Sequence, residues 1–114
     1  MENVVEDKSF RFAIRVVNMH KYLRQEKREY TMSKQLIRCG TSIGANIAEA
    51  QRAQSKADFI SKINIALKET VETGYWIKLL TATEYLNKGQ SQSIMTDCIE
   101  LEKILVAILN SSKK

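Results

Sequence analysis

Hydrophobic positions recur with helical spacing in four stretches of this chain, separated by short polar segments that carry cap and turn residues. The first covers about residues 5–28. Its apolar members, Phe10, Phe12, Ala13, Ile14, Val16, Val17, Met19 and Leu23, span roughly 220° of a helical wheel. A surface helix needs a narrower stripe. A helix that is apolar on two sides must be covered on two sides, one by the bundle core and the other most simply by a second subunit.

The second stretch, about 34–53, follows Tyr30-Thr31-Met32-Ser33, where Ser33 is the expected N-cap. Leu36, Cys39, Gly40, Ile43, Ile47 and Ala50 form its inner face. The third, about 56–86, begins behind Ser55-Lys56-Ala57-Asp58, a capping-box pattern. One stripe runs through Phe59, Ile63, Ala66, Leu67, Thr70, Gly74 and Ile77, and a less complete one through Ile65, Trp76, Leu80 and Thr83. Asn87-Lys88-Gly89 reads as a helix stop with Gly89 left-handed, and Ser91 as the cap of a fourth helix, about 91–110. Ile94, Cys98, Leu101, Leu105 and Ile108 form an a/d seam there. The tail Ser111-Ser112-Lys113-Lys114 is expected to be disordered.

Short turns make consecutive helices antiparallel neighbours, so residues 1–114 are expected to form one all-α domain, an up-down-up-down four-helix bundle. The absence of proline agrees with this. Gly40, Thr41, Ser42, Gly44, Ala45, Ala48 and Ala50 concentrate small residues in the second helix. A helical glycine costs about 1 kcal/mol relative to alanine, so this concentration predicts a very close helix approach. No apolar run is long enough to span a membrane, and MENVVEDKSF is too polar for a secretory signal. Cys39 and Cys98 fall on apolar faces, and the expected compartment is the reducing cytoplasm.

Charge adds a functional candidate. The net charge of +5 lies wholly in residues 1–56, which hold eleven Lys/Arg against six Asp/Glu, including all six arginines. Lys8, Arg11 and Arg15 share one helical face, Lys21, Arg24 and Arg28 repeat that spacing, and Lys34, Arg38 and Arg52 gather on the outer side of the second helix. Such rows suit sequence-independent, salt-sensitive contact with phosphates, and Tyr22 is placed to stack on a base. The expected nucleic-acid surface is therefore Lys8, Arg11, Arg15, Tyr22, Arg24, Arg28, Lys34, Arg38 and Arg52. The competing reading is a solvated, solubilising face.

Enzymatic chemistry finds little support. A carboxylate-bridged metal pair in a bundle needs Glu-x-x-His pairs, and the chain has one histidine, His20, and no such pair. Cys39 has no histidine base beside it. No catalytic residue, metal or cofactor is expected. Asn46, Glu49, Glu69 and Glu72 are expected to form a polar network, with Arg38 as a further member, that fixes helix register or subunit contacts.

The block from Gln35 to Leu80, QLIRCGTSIGANIAEAQRAQSKADFISKINIALKETVETGYWIKLL, resembles the signature of the bacterial four-helix-bundle proteins encoded in intervening sequences of large-subunit (23S) ribosomal RNA genes. The matching residues are Arg38, Gly40, Ser42, Asn46 to Glu49, Phe59, Ala66, Glu69, Glu72 and Trp76, with Phe10 and Ala13 upstream. Cys39 stands where serine is common. The resemblance implies a homopentameric barrel with no established enzymatic activity. The chain is similar also to the accessory proteins of diversity-generating retroelements, basic pentameric rings that bind nucleic acid and associate with a reverse transcriptase. The expectation is a non-enzymatic oligomeric adaptor whose partners are further copies of itself, RNA or DNA, and a reverse transcriptase. The alternative is a protein–protein scaffold that binds no nucleic acid.

Overall fold

The computed structural model describes residues 3–112. Its helices are α1 (Val4–Gln25), α2 (Met32–Ala50), α3 (Lys56–Ala82) and α4 (Lys88–Ser112), with no strand among the described residues. α1 packs on α2, α2 on α3, α3 on α4, and α4 back on α1, while the diagonal pairs do not meet. Contacts at opposite ends of neighbouring helices, such as Gly44 with Ser9 and Glu49 with Lys62, make every neighbour antiparallel. The chain is thus an up-down-up-down four-helix bundle, 45 Å along its longest axis.

The core follows the predicted stripes. Phe12, Val16 and Leu23 from α1 meet Leu36, Ile43 and Ile47 from α2, Ile63, Ile77 and Leu80 from α3, and Ile94, Leu101 and Leu105 from α4. Leu80, assigned by its spacing to the outer stripe of α3, is fully buried in this core. Thr70 and Thr73 are also buried, and their hydroxyls are satisfied by the carbonyls of Ala66 and Glu69 one turn back.

The glycine-rich face of α2 allows the approach it predicted. A Cβ placed on Gly40 would lie 2.7 Å from Val16 Cγ1 and 2.8 Å from Cγ2, so α1 crosses here at a distance that only glycine permits. The α1–α4 seam is the thinnest of the four, and ion pairs close it: Lys8 with Glu100 and Arg15 with Asp97.

The helix ends differ from expectation in ways that local chemistry explains. α1 stops at Gln25 rather than Arg28, because Arg28 takes a left-handed conformation (φ 53°) and the Glu29 N–H bonds back to the Leu23 carbonyl. Ser33 is not the N-cap of α2 but a buried residue of its first turn. The Glu29 carboxylate supplies the cap instead, accepting from the N–H groups of Thr31 (3.1 Å), Met32 (3.0 Å) and Ser33 (2.7 Å). α3 ends at Ala82 rather than near residue 86, in a Schellman motif: Tyr85 N–H bonds to Leu80 O and Glu84 N–H to Thr81 O. Glu84 (φ 69°) holds the left-handed position where glycine is usual.

Gly89 is not left-handed, and Ser91 does not open α4. The Asn87 side chain accepts from Gln90 N–H while the Gln90 side chain accepts from Asn87 N–H, both at 2.9 Å, a reciprocal capping box that starts the helix three residues earlier. α4 continues through Ser112, so the first half of the expected disordered tail is helical. Lys113 and Lys114 lie outside the described residues.

Candidate functional site

The eight cations among the nine residues expected to face nucleic acid divide into two groups. In the first, the cation is already committed. Lys8 Nζ lies 3.1 Å from Glu100 Oε1, and Arg11 Nε lies 3.1 Å from Asp7. Arg15 donates to Asp97 (2.6 Å) and to the Ser93 carbonyl and hydroxyl. Arg38 reaches across to Glu69 (3.3 Å) and Glu72 on α3. The expected row Lys8–Arg11–Arg15 is therefore largely an interhelical ion-pair ladder.

In the second group, Arg24, Arg28, Lys34 and Arg52 have no carboxylate partner among the described residues. Arg24, Arg28 and Lys34 surround the α1–α2 turn together with Lys21 and Lys27, whereas Arg52 lies at the opposite end in the α2–α3 turn. Across residues 21–34 these five cations face two carboxylates, Glu26 and Glu29, and Glu29 is bound up in capping α2. Tyr22 is half-buried against the core and lines a shallow cleft with Lys27, Glu84 and Lys88 at this same end.

The expected polar network forms only in part. Arg38, Glu69 and Glu72 come together, and Trp76 joins them by donating its indole N–H to Glu72 (3.1 Å). The bond from Trp76, then that from Arg38, holds the Glu72 carboxyl below its ordinary range. Asn46 and Glu49 stand apart. The Asn46 amide donates to Ser42 O and Oγ within its own helix, and Glu49 pairs with Lys62. The reason is axial distance: Glu49 lies eleven residues beyond Arg38, roughly 16 Å along α2.

Apolar surface is left over on two opposite faces. On the α1–α2 face, Phe10 is 67% exposed and Ile14 48%. Phe10 stands beside a groove floored by Ala13, Thr41, Gly44, Ala45 and Ala48. On the α3–α4 face, Val71 and Tyr75 flank Gly74, which lies against Met95 and Cys98 of α4, and Ile99 and Val106 are also exposed. The two remaining faces, α2–α3 and α1–α4, carry the interhelical ion pairs. Most of the exposed apolar residues thus lie away from the interhelical ion pairs, with Val4 exposed beside Lys8 on the α1–α4 face.

The fold and these residues have relatives. The family described as 23S rRNA-intervening sequence protein matches residues 1–107. The chain belongs to that family. A crystal structure from Bacteroides thetaiotaomicron VPI-5482, described as a protein with unknown function from the S23 ribosomal protein family, is 56% identical to it. The likeness covers 95% of this chain and 96% of that one, with a TM-score of 0.94. No curated protein matches. The stretch matched to the intervening-sequence family contains both apolar faces and every cation of the α1–α2 turn.

The remaining reactive groups are occupied by packing in this family member. Both thiols are free and buried; burial raises Cys39 and pushes Cys98 up to about 12, so neither is an activated nucleophile. His20 sits with Nδ1 3.0 Å from the Ser33 carbonyl. Among the described residues no group of three His, Cys, Asp or Glu side chains could hold a metal ion, and no helix is long and apolar enough to cross a membrane.

Sequence reasoning missed Tyr30. Its ring is half-exposed in the extended link before α2, and the Arg24 guanidinium lies over it, 4.9 Å from the ring centroid. The signal was available as an aromatic residue six positions from an arginine in a turn, but only the fold of the turn brings the two together.

Proposed function

We propose that this chain is a non-enzymatic adaptor that works as a ring of identical copies and binds RNA or DNA through the cations of its α1–α2 turn. The observation that carries this reading is the segregation of charge. Arg24, Arg28 and Lys34, with Lys21 and Lys27, gather at one end of the bundle without ion-pair partners among the described residues, while Lys8, Arg15, Arg38 and Lys62 pair across to neighbouring helices and Arg11 pairs within α1. One such cluster gives weak, salt-sensitive phosphate contact, and several held in one assembly give avidity.

Assembly is supported by the apolar faces. They lie on opposite sides of the bundle, differ in shape and cannot pair with themselves across a two-fold axis without leaving the other face bare. A head-to-tail contact covers both, and such contacts give a ring when the rotation between successive copies closes and an open filament when it does not. Five copies and a reverse transcriptase as protein partner are part of this proposal, on the resemblance read from the sequence to retroelement accessory proteins.

One observation favours the scaffold reading instead: Lys8, Arg11, Arg15 and Arg38 are neutralised by carboxylates, so the polyanion surface is smaller than composition suggests. Fluorescence anisotropy with a structured RNA separates the two. The adaptor reading expects binding that weakens steeply as salt rises and is lost in Arg24→Glu/Arg28→Glu, with Arg11→Glu much less affected. Binding indifferent to salt and to these substitutions, or no binding at low salt, would favour the scaffold.

A further inference from the structure

We infer that the α1–α2 turn is built for unpaired nucleotides, with the stacked pair Arg24–Tyr30 receiving a base. This inference rests on the nucleic-acid reading above and adds the class of nucleic acid. Phosphate contact alone requires only cations, and the turn supplies them in Lys27, Arg28 and Lys34. Tyr30 adds something that phosphate contact does not use, a half-exposed aromatic ring in the same turn.

The backbone on either side of Tyr30 is held in place. Tyr30 lies between Glu29, whose side chain accepts from three N–H groups at the start of α2, and Thr31, which supplies the first of them. The Arg24 guanidinium covers the ring at 4.9 Å, so the two planar groups form one preformed platform. Arg28, two residues before Tyr30, takes a left-handed backbone position that arginine rarely adopts.

A base inside a duplex offers no face to such a platform, because both of its faces are already stacked. A loop, bulge or single strand does. At the same end of the bundle Tyr22, Lys27 and Lys88 line a shallow cleft, with one carboxylate, Glu84, among them, a second surface along which a strand's backbone can run.

The test is fluorescence anisotropy at fixed low salt with a short unstructured RNA strand and a blunt duplex of the same sequence. Wild type should bind the strand about tenfold or more tightly than the duplex. Tyr30→Ala and Tyr30→Leu should remove that preference and leave duplex affinity unchanged, Tyr30→Phe should retain it, and Arg24→Lys should reduce it while conserving charge. Circular dichroism verifies that each variant keeps its helix content. Equal affinity of wild type and Tyr30→Ala for the strand would overturn the stacking inference. If Arg28→Glu still weakened both RNAs in that case, phosphate binding at the turn would stand without it; absence of binding to either RNA would remove both.

Discussion

Gly40 and Val16 meet so closely across the α1–α2 crossing that a single methyl on Gly40 would lie 2.7 Å from the valine. Gly44, one turn on, is less constrained: a methyl there would lie 3.4 Å from the Ser9 carbonyl. Gly40→Ala should therefore destabilise the fold by about 1–3 kcal/mol through overpacking. Gly44→Ala should be near neutral, because its gain in helix propensity of about 1 kcal/mol offsets the tighter contact. Urea unfolding at one fixed protein concentration measures both. Adding Val16→Ala to Gly40→Ala should recover part of the loss relative to the sum of the single changes.

Glu29 is a buried carboxylate whose partners are the first N–H groups of α2. Glu29→Ala leaves those donors without their acceptor and should cost about 1–2 kcal/mol, in the range of a lost N-cap. Ser33→Ala should also destabilise, since its hydroxyl donates to the Glu29 carbonyl in a buried setting. Thermal unfolding followed by circular dichroism reads both effects.

Arg28 and Glu84 both occupy left-handed backbone positions. Replacing either with glycine relieves about 1 kcal/mol of steric cost. Glu84→Gly should raise stability without weakening RNA binding, since it removes a carboxylate from the cleft that Lys27 and Lys88 line. Arg28→Gly should raise stability as well but weaken RNA binding. A parallel comparison of urea midpoints and RNA affinities separates the conformational role of Arg28 from its charge.

Glu72 carries a pH dependence with a built-in reporter. Its folded carboxyl lies below the ordinary value near 4.5 because Trp76 and Arg38 hydrogen-bond the charged form. A lowered folded pKa means that this stabilisation is fully present above the unfolded value and is lost as pH falls through the folded one. Trp76 is the single tryptophan of the chain, so its fluorescence should titrate with a midpoint below the ordinary glutamate range. Arg38→Ala should move that midpoint upward, and Glu72→Gln should abolish the transition.

The helices and most of the core were legible because apolar spacing repeats over many residues, so one misplaced position does little harm. Val16, Ile43, Ile63 and Leu101 are buried as their stripes require. Helix ends were read less well because the decisive groups are side chains acting over three or four residues. Glu29 caps from before the turn, and Asn87 opens a helix at a sequence that resembles a stop. The candidate surface was legible as composition only. Whether an arginine is free depends on which carboxylate its neighbouring helix presents, and nothing local to Arg15 or Arg38 announces Asp97 or Glu72. Tyr30 gained its place from the turn geometry that spacing could not supply.

The central claim is that leftover apolar surface gathers copies and that gathered copies hold nucleic acid. Phe10→Glu tests it, because Phe10 is mostly solvent-exposed and distant from the cations of the α1–α2 turn. The measurement is RNA affinity of wild type and Phe10→Glu at the same ionic strength, with solution mass followed by light scattering. The account expects the variant to fall from an assembly to the 13.1 kDa chain and to lose at least about tenfold in affinity although its turn cations are intact. A wild-type protein already monomeric, or a monomeric variant that binds RNA as tightly as wild type, would contradict it.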